Sequence, residues 1–229
     1  MAGSAAVLAC DEAVEKGRIM AGELLEAATD DIEYGNGSYR VAGTDRTIRL
    51  LELPSQAIAA GLPNASLDTT HEFVSPQMSF PNGCHICEVL IDPETGMLTI
   101  VRYTAVDDVG NILEKTIVEG QIHGGIAQGL GQILGEHVIY DNNGQLLTGS
   151  FMDYPIPRAD EIPVLTVAHH SVACTNNPLG VKGAGESGVA GALPSAYSAV
   201  LDALAMGGVD DFNLPATPGR IWAALHPMG

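Results

Sequence analysis

The sequence predicts an α+β protein of mixed helices and antiparallel strands, on three observations. Apolar residues recur at helical spacing near both ends of the chain, pairs of short alternating stretches flank turn signals in between, and no repeat or low-complexity tract interrupts them. At the start, Val7, Cys10, Val14, Ala21, Leu25 and Ala28 fall on one face, so Met1 to Ala28 reads as an amphipathic helix with Asp11, Glu12, Glu15, Lys16 and Arg18 mostly outward. Ile32 to Tyr34 and Ser38 to Val41 flank Gly35-Asn36-Gly37, a hairpin signal. Thr47 to Ala60 resembles a short helix ended by Gly61-Leu62-Pro63-Asn64. His85 to Ile91 and Met97 to Tyr103 flank Asp92-Pro93-Glu94-Thr95-Gly96, with proline and glycine where a turn needs them. Val138 to Tyr140 and Gln145 to Leu147 flank Asp141-Asn142-Asn143-Gly144 in the same way, and Leu165 to Ala173 reads as one more strand. Tyr197, Val200, Leu201 and Leu204 mark a late helix closed by Gly207-Gly208. The whole span 1–229 reads as one region, with a weak sub-boundary near residues 61–70.

Composition narrows the function classes. The 229 residues hold 28 acidic and 10 basic side chains, a formal charge of −18. A surface this acidic repels phosphate backbones and anionic lipid, which argues against nucleic-acid partners and membrane docking. With 46% apolar residues the chain has enough for a folded core. Four cysteines in this length are no disulfide framework, and Met1 to Cys10 lacks the basic flank of a secretory signal, so a reduced, cytoplasmic setting is expected. Ile162 to Val181 is too polar to span a bilayer, and Pro194 interrupts the apolar Ser187 to Leu201, so no membrane span is expected. Glycine is in excess, 27 residues, about 12% against roughly 7% in average usage.

Part of that excess lies in two strings. In Gly120 to Gly135, Ile122, Ile126, Leu130, Ile133 and Leu134 keep helical spacing, yet six glycines are interspersed. Each costs roughly 1 kcal/mol against alanine inside a helix. That cost is repaid by a close helix–helix contact, or by close approach of a bulky ligand with Gln121 at the helix start, where unpaired N–H groups favour anions. The second string, Leu179-Gly180-Val181-Lys182-Gly183-Ala184-Gly185-Glu186-Ser187-Gly188, places one carboxylate on a glycine-rich loop ahead of an apolar helix. Glu186 is then either a partly desolvated group suited to accept a proton near neutral pH, or a cap on the next helix.

Other motifs lack their context. Gly183 to Gly188 spells G-x-G-x-x-G, but a turn, Asn176-Asn177-Pro178, leads into it instead of a strand, so a dinucleotide site is not expected. Cys84-His85-Ile86-Cys87 offers too few ligands for a structural zinc, and alternating strand positions send Cys84 and His85 to opposite faces. Buried small residues with one hydrogen-bonded histidine are the simpler expectation there. No metal ligand is assigned.

Taken together, Val7 to Leu25, Phe80 to Tyr103, Ala105 to Gly135, Asp153 to Pro157 and Leu179 to Pro215 resemble the xanthine oxidase family of molybdenum hydroxylases. The resemblance is to the carboxy-terminal part of the molybdopterin-binding large subunit, of the aerobic carbon monoxide dehydrogenase and aldehyde oxidase type. It implies the fold of that molybdopterin-binding domain. It implies an oxidoreductase that hydroxylates a C–H carbon of an aldehyde or N-heterocycle, or oxidises carbon monoxide, with water as oxygen source. In the family pattern Glu186 matches the glutamate beside the molybdenum, a general base. Gln121 and the stretch Lys182, Gly183, Ala184, Gly185 match the groups that hold the pterin, in bacteria the cytosine dinucleotide form. Iron–sulfur clusters and FAD on partner subunits are implied as the electron path. The family's large subunit is much longer, so the resemblance also implies a partner carrying its upstream half, with the substrate pocket mostly there. Ser187 stands where purine-oxidising members usually have proline, which leans away from xanthine. The competing expectation is a truncated, catalytically incompetent module serving as an assembly surface.

Overall fold

The structure, a computed structural model, describes residues 1–227. The described residues form two compact units, one of residues 1–77 with 176–179 and the other of residues 78–175 with 180–227. The division falls between Gln77 and Met78, beyond the 61–70 stretch singled out from sequence.

The first unit opens with α1 (Ala2–Leu24), as its apolar spacing predicts. Next come β1 (Ile32–Gly35), β2 (Ser38–Val41) and β3 (Thr47–Arg49), an antiparallel meander, and α2 (Leu53–Ala59). The β1–β2 turn has Asn36 at φ 50° and Gly37 at φ 73°, the left-handed pair that a tight hairpin with right-handed twist requires. The sequence-based helix over Thr47 to Ala60 is corrected at its front. Thr47-Ile48-Arg49 pairs with β2, which buries Ile48 and leaves its two neighbours outside. Met20, Ala21, Ile32, Tyr39, Val41, Ile48, Leu53 and Ala57 make the core. Tyr39 is fully buried, and its hydroxyl donates to Val14 O at 2.8 Å. Gly17 makes room for that ring, because a Cβ there would meet the hydroxyl oxygen at an impossible distance.

The second unit carries β4 (Asn82–Ile91) and β5 (Leu98–Asp108), antiparallel, joined by the Asp92 to Gly96 turn. Asp92 orders this turn by accepting from Glu94 N and Thr95 Oγ1. A third strand, β6 (Leu165–His169), lies beside β5 but parallel to it, so this sheet is not purely antiparallel. A parallel neighbour needs a long crossover, and here the crossover contains α3 (Lys115–Leu134). The expected hairpin at Val138 to Leu147 shrinks to a single bridge between Tyr140 and Leu146. Two helices follow, α4 (Ser187–Ala205) and α5 (Pro218–Leu225), the second unanticipated.

Helix α3 buries Ile122, Ile126, Leu130 and Ile133, each worth about 1.5–3 kcal/mol. That burial explains how a helix with five internal glycines is held. Helix α4 buries Ala192, Ala196, Val200 and Leu204 in the same cluster. It is long and apolar enough to cross a membrane by length and mean hydropathy of 1.2, but this buried stripe is a core face packed on α3 and β4. It also runs through Pro194 without a break, against the sequence reading.

Candidate active site

Two glycine-rich strings, distant in sequence, meet where α3 and α4 cross. A Cβ on Gly188 would lie 2.4 Å from Ile122 O and 3.1 Å from Gly125 Cα, and one on Gly129 would lie 2.6 Å from the Ala192 Cβ. Glycine is thus required for the backbones to touch, which answers part of the glycine puzzle: Gly125, Gly129 and Gly188 serve the helix contact. Gly120 and Gly124 do not, since nothing lies near where their Cβ would be.

Gln121 is placed differently from its sequence expectation. Helix α3 begins at Lys115, six residues before Gln121, and Glu114 caps it by accepting from Thr116 N at 3.0 Å. The unpaired N–H groups at the helix start are therefore not beside Gln121, which sits in the second turn. Its side chain is exposed and donates through Nε2 to Gly185 O at 3.0 Å. The structure thus brings Gln121 and the second string together by a side-chain bond across the helix crossing.

The loop of Lys182, Gly183, Ala184, Gly185 and Glu186 is fixed at both ends. Lys182 N donates to Val109 O at 2.8 Å, and the Lys182 ammonium donates to Asp108 Oδ2. Asp108 also accepts from Gly110 N at 2.9 Å and Val172 N at 3.0 Å. The Lys182 ammonium, with these backbone N–H groups, holds its carboxyl well below the usual carboxylate range. At the far end Ser187 Oγ donates to Ala184 O at 3.1 Å, and Ala190 N donates to Glu186 O at 2.9 Å as α4 begins. Between these ties, Gly183 and Gly185 face open space.

Glu186 takes the N-cap position of α4, yet its side chain makes no capping bond. It is exposed, which corrects the expected desolvation: the apolar residues of the helix that follows do not shield it from solvent. Its carboxylate borders an open groove of about 880 Å³ whose wall includes Phe80, Asn82, His85, Asp107 and Ser195.

Beneath this groove lies a buried polar chain that sequence reading did not anticipate. His85 Nε2 lies 3.2 Å from Asp107 Oδ1, and a carboxylate only accepts, so Nε2 carries the proton between them. His85 Nδ1 is 2.8 Å from the Tyr103 hydroxyl, which is 2.9 Å from Ser195 Oγ on α4. The His85 and Asp107 side chains are only 4% and 3% exposed, and burial pushes the Tyr103 hydroxyl up to about 12. The hydrogen-bonded histidine expected at position 85 is present, but Cys84 is exposed, not buried. Burial pushes the half-buried Cys87 thiol up to about 11. Among the described residues no group of three or more histidine, cysteine or carboxylate side chains converges on a metal position. The signal for the buried chain was legible in Asp107-Asp108, two charges at the end of an apolar strand, but only with a partner to pair them.

The second unit thus combines a crossed glycine helix pair with a tethered loop that presents the Glu186 carboxylate. Residues 1–163 match the family described as molybdopterin cofactor-binding domain. The chain is 34% identical to the carbon monoxide dehydrogenase large chain of Hydrogenophaga pseudoflava, over 98% of its own length and 28% of the relative's. It is 36% identical to the gamma subunit of the 6-hydroxypseudooxynicotine dehydrogenase complex of Paenarthrobacter nicotinovorans, over 100% of its length and 29% of the relative's. Among solved structures, a Cu,Mo-CO dehydrogenase superposes with a TM-score of 0.90 at 30% identity, covering 99% of this chain and 29% of that one. Quinoline 2-oxidoreductase from Pseudomonas putida 86 superposes with a TM-score of 0.85 at 37% identity, covering 95% and 28%. The chain belongs to the molybdopterin cofactor-binding domain family of the molybdenum hydroxylase large subunits. It spans under a third of the length of the curated relatives it matches.

Proposed function

We propose that this chain is the part of a molybdenum-dependent hydroxylase that supplies the general base, Glu186, and one wall of the pterin site. The observation that carries the reading is the free carboxylate of Glu186 at the end of a loop tethered on both sides, beside two glycines with open space where a Cβ would stand. The residues fit a pterin dinucleotide. Such a group presents amide-like edges and phosphates, and the exposed Gln121 amide with the N–H groups of Gly183, Ala184 and Gly185 and the C=O groups of Lys182 and Gly183 is a matching donor and acceptor set. Open space at Gly183 and Gly185 admits close approach of a flat ring system. When bound, the molybdenum cofactor would supply the two-electron oxidation, with water as the source of oxygen.

The protein's own contribution is position and proton handling. Glu186 would accept a proton at its carboxylate oxygen as the C–H carbon is oxygenated, and the bond from Ala190 N to Glu186 O fixes where that carboxylate starts. Gln121, by holding Gly185 O, keeps the loop against α3 so that the pterin and the base keep their spacing. The Lys182 ammonium is taken up by Asp108 and its N–H by Val109 O, so Lys182 would meet the cofactor through its backbone C=O and not through its charge. The substrate class is an aldehyde, an N-heterocycle or carbon monoxide. The upstream part of the molybdopterin-binding subunit and the iron–sulfur and flavin subunits are the partners of this reading, in the cytoplasm.

Co-expression with an upstream large-subunit polypeptide should give a complex holding molybdenum and pterin that reduces a dye in the presence of substrate. Glu186→Gln should abolish that turnover while cofactor content stays at the wild-type level. Full turnover in the variant sinks the base assignment. A complex without molybdenum and pterin favours the assembly-surface reading instead.

A further inference from the structure

Asp107 and Asp108 end β5, and neither faces solvent: they are 2% and 6% exposed. Consecutive strand residues point to opposite faces, so the two carboxylates reach in two directions. Asp108 holds the entrance of the glutamate loop. It binds the Lys182 ammonium and the backbone N–H groups of Gly110 and Val172, while Lys182 N reaches Val109 O on the same strand end. Gly110, at φ 70°, lets the two backbones close on each other, since a Cβ there would sit 2.4 Å from Gly180 O.

Asp107 holds the other side through His85. The imidazole is fixed at Nε2 by Asp107 and at Nδ1 by Tyr103. The backbone of α4 rests directly on it: a Cβ on Gly191 would lie 2.4 Å from His85 Nδ1. Tyr103 continues the chain to Ser195 on the next turn of α4. Helix α4 is thus gripped by His85 on one side and by the α3 glycines on the other. Glu186 stands at the start of that helix, five residues before Gly191.

We propose that Asp107 and Asp108 are positioning residues that bracket the Glu186 loop, Asp108 at its entrance through Lys182 and Asp107 at its exit through His85. The proposal rests on the reading of Glu186 as the base for its functional meaning, but not for its physical test.

That test is amide hydrogen exchange on the full chain, read at two hydrogen-bonded amides. Asp108→Asn and Lys182→Met should each speed exchange at the Lys182 amide (absent such a tie, locally opening amides lose protection) by at least about tenfold. Lys182→Arg should restore it, because a guanidinium also pairs with the carboxylate. Asp107→Asn should speed exchange at the Ala190 amide and leave Lys182 protected. Amides of Ile126 and Leu130 in α3 should keep their wild-type rates in all four variants. In the assembled enzyme, Asp108→Asn should lower kcat and leave KM unchanged. Unchanged exchange at Lys182 and Ala190 overturns the bracket, as does an equal rise throughout α3. Glu186→Gln should leave both amides at wild-type rates, so turnover in that variant judges the base and exchange in the aspartate variants judges the bracket.

Discussion

Gly124 and Gly125 are neighbours in α3, identical in chemistry and in helix propensity, yet alanine should stabilise at the first and not at the second. A Cβ at Gly124 meets nothing within 4 Å, so Gly124→Ala should gain the helix-propensity difference, about 1 kcal/mol. A Cβ at Gly125 would lie 2.8 Å from Val189 N and 3.0 Å from Gly188 Cα, both backbone atoms of the crossing helix, which move only if the helices part. Overpacking of this kind costs about 1–3 kcal/mol. Propensity cancels between the two variants, so the Gly125 variant should be less stable than the Gly124 variant by that same amount. With a urea dependence of about 1–3 kcal/mol per molar, the unfolding midpoints should differ by roughly 1 M. The assay is urea unfolding followed by fluorescence of Trp222, the single tryptophan, which lies in the second unit and stacks on His226. A Gly125→Ala midpoint equal to or above that of Gly124→Ala would refute the claim that Gly125 is there for helix contact.

Three further outcomes follow from the same geometry. Tyr39→Phe leaves Val14 O without its buried donor and should cost the first unit about 1 kcal/mol, seen as faster exchange of α1 and β2 amides with the second unit unchanged. The folded-state pKa of Asp108 is depressed, so its contribution is present above the unfolded carboxylate value of about 4 and fades as pH falls through the lower folded value. Asp108→Asn should therefore reduce the urea midpoint at pH 7 more than at pH 3, and an equal reduction at both would count against the ion pair. Exposed Cys10 and Cys84 should react with a thiol reagent at pH 8 well before Cys87, whose thiol is half-buried and pushed up to about 11.

Much of the secondary structure was legible because its signals are local. The Asn36-Gly37 turn needs left-handed backbone whatever surrounds it, and the apolar spacing of Ile122, Ile126 and Leu130 defines one helix face whatever packs there. Readings that depended on distant partners went astray. Thr47-Ile48-Arg49 looks helical alone and becomes a strand because β2 offers an edge. Ser187 to Leu201 looks broken at Pro194, and the α4 contacts carry the helix through. Glu114 and Lys115 show no apolar periodicity, so the sequence pattern starts α3 at Gly120 and puts Gln121 at a helix end that lies elsewhere.

The sequence by itself singled out Glu186 and Gln121 as candidates, since their residue types and glycine surroundings are written in short, contiguous strings. What those residues touch was decided only by the tertiary structure. Gln121 reaches Gly185 across 64 positions, Lys182 reaches Asp108 across 74, and Tyr103 reaches Ser195 across 92. No local pattern encodes such pairings, because they depend on which faces of α3, α4 and β5 are brought together when their apolar sides are buried. The glycines show the same division: composition reveals the excess, but only the helix crossing tells Gly125, which must be glycine, from Gly124, which need not be.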